Sequence, residues 1–251
     1  MYELNQDNEK HEISSELFSF LQTSLTYQTT FNGKFNIFVG SLVKKWQSAL
    51  ENGQVLPSNE INGEVEKIQN TSIVLTQEGN KFYAARQGEG EIDLGAITKG
   101  YTLDYVSSYF RNVEVEKYSV NCGSSSIVIG KSEEESNDFR IILKDIPNKC
   151  FYAHDVFIGT SGVSERGKVI DGVQYSHIVN PTTGSAINNY DMAYVIGSNG
   201  ALCDVLSTVF MISSVDEVKV YEANFDVKVL LYKNNEIVHK SDSFELSDYN
   251  G

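Results

Sequence analysis

Three short stretches carry residues whose types and spacing could do chemistry. The first runs from His177 to Gly184, His-Ile-Val-Asn-Pro-Thr-Thr-Gly. Val173–Val179 reads as a strand, Asn180-Pro181 breaks it, and Thr-Thr-Gly turns the chain. An imidazole at the end of such a strand would be held rigidly, as a base must be. The second is Asp93-Leu-Gly-Ala-Ile-Thr-Lys-Gly-Tyr101. Gly95 and Ala96 would let the backbone approach a ligand, and a helix is expected to open between Ile97 and Gly100. Its unpaired N–H groups and dipole favour an anion such as a phosphate beside Lys99. Asp104, one turn further on, would face solvent or accept a ligand hydroxyl. The third is Asp204-Val-Leu-Ser-Thr208. Spacing of i, i+4 puts a carboxylate and a hydroxyl on one helix face, and two oxygen donors there suit Mg²⁺. Apolar neighbours would bury Asp204, and a buried carboxylate needs a partner.

Each stretch also has a plain structural reading. Lys99 could be an exposed lysine, Asp204 a carboxylate favoured by its helix dipole, and Thr208 a back-bonded hydroxyl. A lone histidine is more often packed than catalytic. Two glycine-serine stretches follow predicted strands: Asn121-Cys-Gly-Ser-Ser-Ser126, and Gly159-Thr-Ser-Gly162 with Glu165-Arg166 beyond it. Such loops can wrap a phosphate with backbone N–H groups, but serine-rich turns and surface ion pairs are common.

These residues must be positioned by a fold, and the bulk numbers bound it. The chain has 251 residues, 41% hydrophobic and 22% charged, which is enough for a sizeable core. A net charge of −14 excludes nucleic acid or an anionic membrane as a partner held by the overall field. The three cysteines, Cys122, Cys150 and Cys203, have no Cys-x-x-Cys spacing, so buried free thiols are expected. No 18-residue apolar run and no signal peptide are seen. As it stands, the sequence points to the cytoplasm. An extracytoplasmic lipoprotein whose signal had been removed would read the same.

Periodicity predicts helices at about 15–28, 38–50, 97–110, 201–212 and 215–223. Trp46, the only tryptophan, is expected in the core. Residues 63–94 read as an antiparallel meander with strands Val65–Ile68, Ser72–Leu75, Lys81–Ala85 and Glu91–Leu94. Further strands are expected at Tyr118–Asn121, Ser126–Ile129, Phe139–Lys144, Lys149–Tyr152, Val156–Gly159 and 191–197. A last hairpin joins Asp226–Tyr232 to Glu236–Lys240, and a solvated loop covers 131–138. Strands and helices come in blocks, so the expected class is α+β with antiparallel sheets and packed helices. Without a linker signal the whole of 1–251 reads as a single domain, with 1–12 and 241–251 irregular.

Taken together, the motifs resemble the ApbE family, the FAD:protein FMN transferases. The resemblance rests on Gly33-Lys-Phe-Asn with Trp46, Asp93–Tyr101 with Asp104, Val120–Ile127, Gly159–Gly162 with Glu165-Arg166, His177–Gly184, and Ala201–Thr208. These occur in family order over residues 4 to 213. It implies a T-fold-like catalytic domain without the family's leading strands. It also implies an enzyme that moves FMN from FAD onto a threonine of an acceptor flavoprotein, making a phosphoester and releasing AMP with Mg²⁺. The resemblance makes the Ala96 carbonyl, Asp204 and Thr208 metal ligands, and His177 the base. Asn5, Ala96, Lys99, Asp104, Gly123, Ser161, Gly162 and His177 become FAD contacts. Two alternatives are an FAD pyrophosphatase giving FMN and AMP, and a non-catalytic flavin-binding module. The chain departs from the pattern at Asn180, at Ser124-Ser125 and at Val163-Ser164, where the family carries Asp, Gly-Asp and Asp-Tyr.

Overall fold

A computed structural model describes residues 1–131, 138–163 and 167–249. In chain order the elements begin with α1 (Tyr2–Gln6), β1 (His11–Ile13), α2 (Ser15–Thr30), α3 (Gly40–Glu51), α4 (Ser58–Gln69), β2 (Ser72–Glu78) and β3 (Lys81–Gln87). Then come α5 (Gly95–Asn112), β4 (Ser119–Cys122), β5 (Ser126–Ile129), β6 (Phe139–Ile142), β7 (Lys149–Ala153) and β8 (Val156–Gly162). The chain continues through β9 (Lys168–Ile170), β10 (Val173–Tyr175), β11 (Met192–Gly197), α6 (Gly200–Met211) and α7 (Val215–Phe225). It finishes with β12 (Lys228–Lys233), β13 (Glu236–Lys240) and β14 (Ser247–Asp248). Among the described residues every strand pair is antiparallel, as the block pattern predicts.

The chain divides into two compact units. One comprises Met1–Leu94 with Val163–Asn188, the other Gly95–Gly162 with Asn189–Gly251. In the first, α2 starts where Ser14 accepts the Leu17 N–H at 3.2 Å. It ends before Asn32 and Gly33, both at positive φ. Leu42, Trp46 and Leu50 recur every four residues along α3 and are all buried. They pack with Leu56, Ile68, Val179 and Ala186.

Several expectations for this unit are corrected. Val65–Ile68 belongs to helix α4, not to a strand. Across the wider window Ile61, Val65 and Ile68 repeat at helical spacing, and Gly63 lies on an open side with nothing near its missing Cβ. Glu91–Leu94 forms no ladder. One parallel bridge joins Val39 to Glu91, and the Asp93 N–H donates to the Ile37 carbonyl at 2.7 Å. Residues 1–12 are not irregular, because Leu4 is buried on α1 and β1 pairs with β3. The strand predicted at 173–179 stops at Tyr175 and pairs with β9.

In the second unit a six-stranded sheet runs β13-β12-β11-β8-β5-β4. One face packs on Leu143, Ile146, Phe151 and Phe244 through Ile129, Ile158, Met192, Tyr194, Ile196 and Leu230. The described part of the tail, 241–249, is also ordered, contrary to expectation. Phe244 is buried, and β14 pairs with β7 as one edge of a three-stranded sheet β14-β7-β6. A two-residue strand and a single aromatic anchor leave no periodic signal in a polar stretch. The loop predicted at 131–138 lies largely outside the described residues. Among the described residues no helix is long and apolar enough to cross a membrane. Cys150 and Cys203 are buried free thiols, as expected, whereas Cys122, also a free thiol, is only partly buried.

Candidate active site

Helix α6 carries the proposed oxygen donors, and its seating decides their geometry. A Cβ on Gly100 would collide with the Gly200 carbonyl, and one on Gly159 with the Cys203 carbonyl. Glycine at these points lets α6 lie against both α5 and β8. The start of α6 is tied down by side chains. Asn199 accepts the Leu202 N–H at 2.8 Å, while Asp104 accepts the N–H groups of Gly200 at 2.7 Å and Ala201 at 2.9 Å. Burial raises the Asp104 carboxyl above its ordinary value, and these two N–H groups pull it back. Both Asp104 oxygens are thus engaged on the N-terminus of α6.

Asp204 lies one turn into α6 and is 6% exposed. Ser126 donates its hydroxyl to Oδ1 at 2.6 Å, and the Gly100 N–H donates to Oδ2 at 2.5 Å. Burial pushes the Asp204 carboxyl up to about 6, against the pull of those two bonds and of the Lys99 charge. Thr208 follows one turn later, where Ser161 bridges it at 3.2 Å and Ser207 at 2.8 Å.

The other expected residues of this unit fall as follows. Helix α5 opens at Gly95, two residues earlier than expected, so Ala96 stands in its first turn. In a regular α-helix the Ala96 carbonyl takes the Gly100 N–H, and that donor is drawn to Asp204; the carbonyl keeps a lone pair for another partner. Gly123 sits at φ +68° in the β4–β5 turn, and a Cβ there would touch the Lys99 chain at 3.8 Å. Ser161 and Gly162 are the last residues of β8, not loop residues, and pair with Ala193 and Met192 of β11. The strand runs on because Ser161 and Gly162 fit a ladder as well as a turn. Glu165-Arg166 and Ser164 lie outside the described residues.

Asn5 and His177 belong to the first unit. Asn5 pairs with both backbone groups of one residue, accepting the Ile92 N–H at 2.8 Å and donating to the Ile92 carbonyl at 2.9 Å. The residues on either side of His177 are pinned. The Ser176 N–H donates to Ala186, and its hydroxyl to Asn188. Ile178 donates its N–H to the Ser176 hydroxyl at 3.0 Å and accepts from the Asn188 amide at 3.2 Å. The Ser176 hydroxyl replaces a ladder partner, which is why the strand ends before the histidine. Asn180 turns the chain by accepting the N–H groups of Thr182 and Thr183 at 2.9 and 3.3 Å. An aspartate would use the same oxygen, so for this turn the departure at Asn180 costs nothing. Trp46 donates from Nε1 to the Gly184 carbonyl at 2.8 Å and stacks on Tyr175.

The donor set has the chemistry of a hard divalent cation: a buried carboxylate paired with neutral donors, a hydroxyl one turn on, and a helix-start carbonyl, all oxygen. Among the described residues no three His, Cys, Asp or Glu side chains cluster as an all-side-chain metal site. A set with one carboxylate suits a cation that draws its remaining ligands from substrate and water.

Sequence reasoning did not single out Ser126 or the engagement of Asp104 with α6. No pattern marks one serine in a run of three, or shows that a carboxylate on one helix caps another.

The sequence model of the ApbE family matches residues 1–231. A Vibrio cholerae protein named FAD:protein FMN transferase is 29% identical over 252 aligned positions, covering 95% of this chain and 71% of its own length. A Klebsiella pneumoniae protein of the same name is 27% identical over 208 positions, covering 78% of this chain and 62% of its own length. The matched part therefore spans less than two thirds of that relative. Among solved structures, an ApbE protein from Thermotoga maritima superposes with a TM-score of 0.80 at 22% identity, covering 99% of this chain and 80% of that one. A variant of the Vibrio cholerae flavin transferase ApbE superposes at 0.77 with 26% identity, covering 96% and 80%. With a family match over nearly its whole length and the same fold in solved relatives, this chain belongs to the ApbE family.

Proposed function

We propose that the chain is an FAD:protein FMN transferase acting as one catalytic domain over residues 1–251. It attaches FMN through a phosphoester to a threonine of an acceptor flavoprotein and releases AMP. The names of its relatives support transfer of FMN from FAD to a protein. The observation that carries the reading is Asp204, a buried carboxylate held by neutral donors on a helix whose next turn presents Thr208.

Asp204, Thr208 and the Ala96 carbonyl would hold Mg²⁺, which when bound supplies charge neutralisation for the FAD pyrophosphate. Lys99, one turn into α5 and beside the Gly123 turn, places a positive charge near the positive end of the helix dipole, where phosphate oxygens are favoured. His177, fixed between Ser176 and Ile178, takes the proton of the acceptor hydroxyl, a task suited to an imidazole near neutral pH. Asp104 serves the site from behind by capping α6.

The test is incubation with FAD, Mg²⁺ and a candidate acceptor protein, followed by a denaturing gel viewed under ultraviolet light. A fluorescent acceptor band is expected. Free FMN and AMP with a dark acceptor would make the protein a pyrophosphatase, and intact bound FAD would make it a flavin-binding module.

A further inference from the structure

The six-stranded sheet has two faces, and alternation along the strands separates them. Ile129, Ile158, Met192, Tyr194, Ile196 and Leu230 line one. The other bears Val128 on β5 and Phe157 on β8, with Ala193 and Val195 on the neighbouring β11, all buried. Gly159 belongs to this second face and touches α6 at Cys203 and Asp204. Two serines interrupt its apolar surface. Ser126 pairs directly with Gly159 across β5 and β8, and Ser161 lies two residues beyond Gly159 on β8. Each meets one of the two oxygen donors of α6, Ser126 at Asp204 and Ser161 at Thr208.

Ser126 is 1% exposed, so its hydroxyl has no water to fall back on. A buried hydroxyl on an apolar surface is costly unless bonded, and valine or alanine would fit the strand pattern equally well. Among the described residues it donates to Asp204 Oδ1. With the Gly100 N–H on Oδ2, the carboxylate is gripped at both oxygens from two different elements, β5 and α5. Each oxygen retains a second lone pair. The carboxylate is thereby locked in rotation before any cation arrives.

We propose that Ser126 is a positioning residue of the cation site, whose hydroxyl fixes the orientation in which Asp204 receives a divalent ion. The inference rests on the cation reading given under the proposed function. Residues that orient a metal ligand commonly change affinity by about 10- to 100-fold when removed, whereas a purely structural hydrogen bond changes stability and leaves affinity alone.

The experiment is isothermal titration of Mg²⁺ into the full chain without flavin, with thermal unfolding in EDTA measured beside it. Ser126→Ala is expected to weaken Mg²⁺ binding by about tenfold or more. Ser126→Thr, which keeps the hydroxyl, is expected to bind within about threefold of the parent. Should the alanine variant fail to fold, Ser126→Cys keeps the volume with a weak donor and is expected to fall between the two. Parent-like affinity in Ser126→Ala, or in Ser126→Cys where that stands in, overturns the proposal. Equal weakening in the alanine and threonine variants with a matching loss of unfolding temperature overturns it too, since packing would then be the cause. A parent protein that binds no Mg²⁺ overturns the cation reading itself and this inference with it. Unaltered Mg²⁺ affinity in Ser126→Ala alone leaves that reading standing.

Discussion

Among the described residues each unit buries one carboxylate on a helix, and the two are compensated in opposite ways. Glu64 on α4 is 2% exposed and meets two cations, Lys45 at 2.9 Å and Lys67 at 3.3 Å, with the Ser41 hydroxyl on its other oxygen. Burial pushes its carboxyl up, but the bonds from Ser41, Lys45 and Lys67 together bring it below the ordinary glutamate value. Asp204 on α6 is nearly as buried, yet it is gripped only by a hydroxyl and a backbone N–H. Its carboxyl rises to about 6. Among the described residues Asp204 has no ion pair with a lysine or arginine, although the Lys99 charge is felt there. The first site is closed by the protein's own charges. The second leaves a negative charge in low dielectric for something else to complete.

The comparison predicts that the two carboxylates fail differently when removed. The largest effect is expected from Asp204→Ala, which should cut FMN transfer by about a thousandfold or more, because a catalytic metal supplies several kcal/mol of transition-state stabilisation. Its unfolding temperature in EDTA should change less than that of Glu64→Ala, since relief of a poorly compensated buried charge offsets the loss of a partner for Ser126 and for the Gly100 N–H. Initial rates at saturating Mg²⁺ and a melting curve check both halves.

Glu64→Ala should do the reverse. It is expected to lose about 2 kcal/mol of stability in urea titration, a figure held down by the partial exposure of both lysines, and to keep its Mg²⁺ affinity. Weakened Mg²⁺ binding in that variant would erase the distinction between the sites. The same contrast has a pH signature. The folded value of Glu64 lies below its unfolded one, so its contribution is present above the unfolded value of about 4.5 and is lost as pH falls through the folded value. Stability against pH should therefore slope downward on acidification in the parent and be flatter in Glu64→Gln over that window.

The smallest effect concerns the turn beside Lys99. Ser124 sits at φ +66°, a left-handed conformation that a side chain resists, at a position where the family carries glycine. Ser124→Gly should raise stability by up to about 1 kcal/mol while the Asp204 cradle, built from other elements, keeps its Mg²⁺ affinity. A loss of stability in urea titration would show that the serine side chain does something the backbone conformation hides.

What was legible in the sequence follows from how local each signal is. Helices α2, α3, α5, α6 and α7 could be read because apolar spacing lies within one stretch, and the structure adds local caps at Ser14 before α2 and a Ser214–Glu217 capping box at α7. The hairpin at Lys233-Asn-Asn was legible because Asn234 and Asn235 take the positive φ that such turns need. Helix α4 was misread because a four-residue window around Val65 cannot separate a period of two from one of 3.6. The site was legible as residues but not as relations. Asp204 and Thr208 stand out by spacing alone. That Ser126 grips one, that Ser161 touches the other and that Asp104 caps their helix depends on strands and helices far apart in sequence. The division into two units was hidden for a related reason: it falls at Leu94–Gly95, Gly162–Val163 and Asn188–Asn189, inside motif-bearing stretches with no linker composition.

The central claim is that the Asp204 site, completed by a cation, moves FMN from FAD onto a protein threonine. Intact-mass spectrometry of an acceptor flavoprotein after incubation with FAD tests it most directly, with Mg²⁺ or EDTA and with the parent or Asp204→Ala. The account predicts that the acceptor gains one FMN unit on threonine, matched by an equal amount of AMP, only when both Mg²⁺ and Asp204 are present. An unlabelled acceptor beside free FMN, or labelling that persists without Asp204, would contradict it.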